Sequence, residues 1–148
     1  MYNFLENMKS YIKSGINADD DISDTIEVYD VSTKGHTPQK TEIQFQIMDK
    51  SDVERYNSFS GTNVYSIPLQ MTIFAFKTKI AGKIKEARDS SIILADKVIN
   101  LLNALDVVKH NSNVMRVRIM TTTPAMPFEG GDKAYTTAIR CEFWVAKV

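Results

Sequence analysis

Few side chains in this sequence are suited to nucleophilic or metal chemistry: one cysteine, Cys141, and two histidines, His36 and His110. A reactive thiol needs a neighbouring base or cation to favour the thiolate. Cys141 instead alternates with Ile139 and Phe143 in a strand-like run, where a small sulfur-bearing hydrophobe fills space in a core. Neither histidine has a second His or Cys at metal-ligand spacing, and both stand in polar connectors, so a zinc site is not expected. Asp19, Asp20, Asp21 and Asp24 offer the oxygen ligands of a hard cation, yet they lack the glycine and closing glutamate of a calcium loop and read as a solvated turn or cap. Gly130 and Gly131 precede a strand and not a helix, which makes them a loop tip and not a phosphate cradle. The expectation is a protein that is not an enzyme, with no catalytic residue, no metal and no cofactor.

The elements that would position these residues follow from periodicity. Phe4, Leu5, Met8, Tyr11 and Ile12 recur at helical spacing over residues 3–14, with Gly15 as the stop. Alternation predicts strands over 25–31, 41–48 and 64–77, where Ile67, Leu69, Met71, Ile73 and Ala75 share one face. Residues 32–40 are turn chemistry, and the polar stretch 51–63 reads as a loop that has room for a helical turn. A long helix is expected over 80–105, its core stripe running through Ile84, Ala87, Ser91, Leu94, Ala95, Val98, Leu101, Leu102 and Leu105. Met115, Val117 and Ile119 mark a further strand, residues 121–133 an irregular connection rich in proline and glycine, and residues 134–147 the closing strand. Helix, three strands, helix and two strands predict a single α+β domain, residues 1–148. Its sheet would be antiparallel, or mixed, with about five strands and both helices packed on one face.

Composition narrows the partners. Eighteen basic residues balance eighteen acidic ones, so no net field draws the chain to nucleic acid or to an anionic membrane, and sequence-specific nucleic-acid recognition is not expected. The longest apolar stretches, such as Ile92 to Ala95, are far too short to span a bilayer. Residues 1–10 have no leader pattern, so the protein is expected to stay where it is made. Charge is nevertheless segregated. Asp19 to Asp30 contains acids without a base, whereas Lys77, Lys79, Lys83, Lys85 and Arg88 are relieved only by Glu86. Cations at the start of a helix oppose its dipole, so a partner surface is the better reason for the basic run. Arg116 and Arg118 share a strand face, where Glu42 or Glu142 would pair with them.

Four features together resemble the tail terminator (tail completion, or neck) proteins of tailed bacteriophages. They are the N-terminal helix, the strand SIPLQMTIFAFK feeding a long helix that ends VINLLNAL, the strand MRVRIM before a proline-rich loop, and the closing YTTAIRCEFWV. The resemblance implies a virion protein of the tail or neck, assembled in the bacterial host cytoplasm. As a homohexameric ring it would cap the tail tube, end its polymerisation and offer the head-tail joining surface. Its expected partners are further copies of the chain, the tail tube protein and a head-completion or connector protein, with no membrane. In such a ring each subunit meets the next through two different surfaces. The acidic Asp19, Asp20, Asp21 and Asp24 meeting the basic Lys77, Lys79, Lys83, Lys85 and Arg88 would supply one such contact. Tyr56, Phe59, Met126 and Phe128, large apolar groups in loop segments, are the candidates for contact with the tube or connector. Two alternatives stand beside this reading: a head-completion or connector protein of the neck, and a small ligand-binding or enzymatic α+β domain.

Overall fold

The computed structural model describes residues 2–22, 24–32, 34–48, 54–57, 63–108, 114–131 and 133–146. Helix α1 (Tyr2–Asn17) leads into strands β1 (Glu27–Asp30), β2 (Glu42–Ile47), β3 (Glu54–Asn57) and β4 (Asn63–Ala75). A short pair, β5 (Thr78–Ile80) and β6 (Lys83–Lys85), precedes helix α2 (Ala87–Val108). Strands β7 (Val114–Thr122), β8 (Met126–Pro127) and β9 (Tyr135–Ala146) complete the order. The main sheet runs β1-β2-β4-β9-β7, with β3 added to β4 and β8 to β9. It is mixed: β1 and β2 are parallel, and the other pairs are antiparallel.

The spine of the sheet is the long β4–β9 pairing, which sets Ile67 opposite Phe143, Leu69 opposite Cys141 and Met71 opposite Ile139. Register with β2 adds Ile43 opposite Ile73 and Phe45 opposite Met71. All of these point to one face and are buried. Onto that face α1 lays Phe4, Leu5, Met8, Ile12 and Ile16, and α2 lays Leu94, Ala95, Val98 and Leu102, closing a single core cluster. Phe4 meets Phe143 edge to face at 5.2 Å. Each fully buried side chain of this size stabilises the fold by about 1.5–3 kcal/mol. The chain is thus an α+β fold, with the N-terminal helix and the one long helix on the same side of the sheet.

Three stretches depart from expectation. The helix foreseen from residue 80 begins at Ala87, and 78–85 is a two-stranded ribbon instead. Its turn residues, Ala81 (φ 54°) and Gly82 (φ 78°), both occupy the left-handed region, the geometry of a two-residue hairpin turn that matches strand twist. Ile84, placed on the core stripe by its helical spacing, consequently stands across from Lys79 on the ribbon and is 73% exposed. Within 51–63, residues 54–57 are strand and not loop or helical turn, paired with β4 from Glu54 opposite Ser66 to Asn57 opposite Asn63. The connection 121–133 is less irregular than its prolines suggest: β7 continues to Thr122, Met126–Pro127 pairs with β9, and Phe128–Gly130 makes a 3-10 turn.

Gly15 does not end α1, which continues to Asn17. It marks the closest approach of the two helices, since a Cβ built there would lie 2.5 Å from Leu101 Cδ2. Nearby, Tyr11 donates its hydroxyl hydrogen to the Leu101 carbonyl at 2.6 Å. Burial pushes that phenol's pKa up. Asn17 then ties the helix end to β1, accepting from the Ile26 amide at 2.8 Å and donating to the Ile26 carbonyl at 2.9 Å.

Candidate functional site

The acidic turn after α1 is held down by a residue from α2. Lys97 Nζ lies 2.5 Å from Asp19 Oδ2 and 3.7 Å from Asp21 Oδ2. The Lys97 hydrogen bond, joined by one from the Asp21 amide, holds the Asp19 carboxyl below the usual carboxylate range. Asp20, Asp21 and Asp24 remain exposed. Of the basic run, Lys79, Lys83 and Lys85 lie on the ribbon and Lys77 just before it, which leaves Arg88 alone in the first turn of α2, with Asp89 beside it. Lys77 and Arg88 have acidic neighbours, Glu86 at 3.8 Å and Asp89 at 3.9 Å. Lys79, Lys83 and Lys85 have none within 4 Å among the described residues.

Acidic turn and basic ribbon adjoin within one subunit. Ile22 bridges to Ile80, and the Ala81 amide donates to the Asp21 carbonyl at 2.7 Å. Expectation sets these two patches against each other across a subunit boundary; within one chain they are already neighbours. Other parts of the surface carry exposed apolar side chains.

One such surface is a groove of about 290 Å³ between α2 and the segment following β7. Ile92, Ala95 and Ile99 line it from the helix, Pro124 and Ala125 from the connection, with Asp96 at its margin. Ile92 is 37% exposed there, a large aliphatic side chain left in contact with water. Met126, which follows Ala125 of the groove, is 55% exposed, and Met120 on β7 is 51% exposed. Phe128, a candidate either for a partner contact or for folding back over the sheet, packs edge-on against Phe74 at 5.2 Å. Tyr56 belongs to β3, whose backbone alone is described, and Phe59 lies outside the described residues.

The second sheet face, turned away from the helices, divides into two zones. Over β1 and β2 the connection 31–41 covers it. His36 stacks on Tyr29 at 4.0 Å, and its Nδ1 lies 2.8 Å from Oε2 of Glu42, a residue only 1% exposed. Gln44 Nε2 supports both, donating to the His36 carbonyl and to Glu42 Oε2 at 2.7 and 3.0 Å. Over β9 and β7 the face is open and carries Arg116, Arg118 and Arg140, all exposed. The cross-sheet ion pairs expected for Arg116 and Arg118 do not form. Glu42 is taken by His36 on the far side of β4, and Glu142 accepts the indole N–H of Trp144. Arg116 lies over the Trp144 ring, 5.9 Å from its centre, and Arg140 Nε donates to Gln70 Oε1 at 3.3 Å.

Cys141 is buried opposite Leu69, and desolvation pushes its thiol up to about 12. Such a thiol is a core side chain and not a nucleophile at neutral pH. Among the described residues no three His, Cys, Asp or Glu side chains gather as metal ligands, and no helix is long and apolar enough to cross a membrane. Sequence reasoning missed Lys97, which lies 78 residues from Asp19 and carries no local signal of the pairing. It also misplaced Ile84, whose only warning was the turn residue Gly82. Compared with known proteins, the chain matches no protein-family model and none of the curated sequences.

Proposed function

We propose that the chain is a structural subunit of a bacteriophage tail or neck. It assembles as a ring of identical subunits, caps the tail tube at its final length and presents the surface to which the head connector docks. The observation that carries this reading is Ile84, 73% exposed on a ribbon that stands apart from the main sheet. An aliphatic side chain this exposed adds little to the fold and would gain up to about 1.5–3 kcal/mol if a partner covered it. Met126, 55% exposed and next in the chain to Ala125 of the groove, and Met120 on β7, 51% exposed, would add apolar contact for the tube or connector. The resemblance in element order and strand pattern supplies the identity of the assembly. Made in the host cytoplasm, the subunit ends in the virion.

The reading is tested by growing tail tubes from purified tube protein in the presence of this chain. Tube lengths are expected to be arrested at chain concentrations well below that of the tube protein, and Met126→Asp is expected to weaken the arrest at least tenfold. Tubes that lengthen unchanged at an excess of the wild-type chain would overturn the reading.

A further inference from the structure

The ribbon and the groove are complementary. Ile84 projects as a single aliphatic knob with Lys79 opposite it on the same face of the ribbon, whereas Lys83 and Lys85 alternate to the other face. The groove, about 290 Å³, is lined by Ile92, Ala95, Ile99, Pro124 and Ala125 together with three threonines, Thr122, Thr123 and Thr137, and carries Asp96 and Arg88 at its margin. No cation lies within 4 Å of Asp96 among the described residues, whereas the other margin charge, Arg88, has Asp89 beside it at 3.9 Å. An isoleucine side chain suits the groove in size, and Lys79 beside it, with no acid within 4 Å among the described residues, would meet the Asp96 carboxylate.

The two parts also lie on opposite flanks of α2. The ribbon turn is bound to the acidic turn, which Lys97 fixes against the helix. At 100° per residue Lys97 is roughly 150° around α2 from the stripe Arg88, Ile92, Ala95, Asp96 and Ile99 that faces the groove. A knob on one flank and its hollow on the other is the arrangement a heterologous contact requires, and such contacts close into rings when the rotation fits.

We propose that the Ile84 ribbon of one copy of this chain seats in the groove between α2 and the β7–β8 connection of a second copy. The inference rests on the ring reading above and names the two surfaces through which neighbouring subunits meet. Knob burial supplies the attraction, and Lys79 against Asp96 fixes the direction of the contact.

Disulfide trapping tests it. Two full-length variants, Ile84→Cys and Ala125→Cys, are given tags of different mass, mixed and oxidised. Cys141 is buried and stays silent. The expected product is a mixed disulfide at least tenfold more abundant than either like-with-like product. In a second measurement Asp96→Lys is expected to weaken self-association at least tenfold, and Lys79→Asp in the same chain to restore most of it. Both sites are exposed, and far-ultraviolet circular dichroism checks that each variant folds. If rings form but the mixed disulfide is absent and Asp96→Lys changes nothing, this contact is wrong and the ring reading stands. If Ala125→Cys couples to tube protein in preference to Ile84→Cys, the groove belongs to the tube and the contact is again wrong. A wild-type chain that stays monomeric at every concentration removes the ring reading itself.

Discussion

Lys97 does at residue scale what the sequence gives no hint of: it turns an acidic run into a partly neutralised turn. Asp19 and Asp21 lie 2.5 and 3.7 Å from its ammonium. The Asp19 carboxyl titrates lower in the folded chain than in the unfolded one, where it loses its proton near about pH 3.9. A lowered folded pKa means that the stabilisation is complete at neutral pH and is lost as the pH falls below about 4, through the folded value. Lys97→Met is therefore expected to lower stability by about 0.5–1 kcal/mol at pH 7, as for a partly screened pair. At a pH low enough to protonate Asp19 in the folded chain the difference should vanish. Urea unfolding of both proteins at the two pH values measures it, and an equal deficit at both would mean that the lysine acts through its alkyl stem. Glu27, hydrogen-bonded to Lys13 at 2.8 Å, is lowered for the same reason and adds to the same acid sensitivity.

Two helices approaching over a glycine give the element scale its clearest test. In most helices Gly→Ala is favourable by about 0.8–1 kcal/mol. At Gly15 the new methyl would lie 2.5 Å from Leu101 Cδ2, so the side chain opposite must move. Gly15→Ala is expected to lower the unfolding free energy by about 1 kcal/mol, because overpacking outweighs propensity. In a Leu101→Ala background the same change should become stabilising, and a double-mutant cycle by chemical denaturation reads the reversal. The elements themselves were legible in the sequence to very different degrees. Strands 41–48, 64–77 and 134–147 stood out because one face is buried and alternation records that directly, as with Ile67, Leu69, Met71 and Ile73. The ribbon was hidden because Ile80, Ile84 and Ala87 keep helical spacing by coincidence, and Ala81 is not a residue that announces a left-handed turn. β3 was hidden because its sequence, ERYN, has no apolar alternation and its pairing with β4 is set by the backbone. The charged runs of the candidate site were plain in the sequence. Their adjacency was not, since the Ile22–Ile80 bridge joins residues far apart in the chain.

For the whole molecule the balance of charge is a local affair. Eighteen positive and eighteen negative side chains cancel, yet the ribbon keeps unpaired lysines, the open sheet face keeps three exposed arginines, and the groove margin keeps a carboxylate. The core lies on one side of the sheet, and large apolar side chains, Ile84, Met120 and Met126, stand exposed outside it. Ring formation should therefore weaken when Ile84 is replaced by Asp, with the fold unchanged, since that side chain is 73% exposed and supports nothing within its own subunit. Sedimentation velocity on the wild-type and variant proteins reads this shift as a loss of the large species. The most direct measurement of the central claim is electron microscopy of tail tubes incubated with the purified chain. The account predicts a closed ring of identical subunits, six-fold in symmetry, seated at one end of each tube, and tubes with bare ends in the presence of excess folded protein would contradict it.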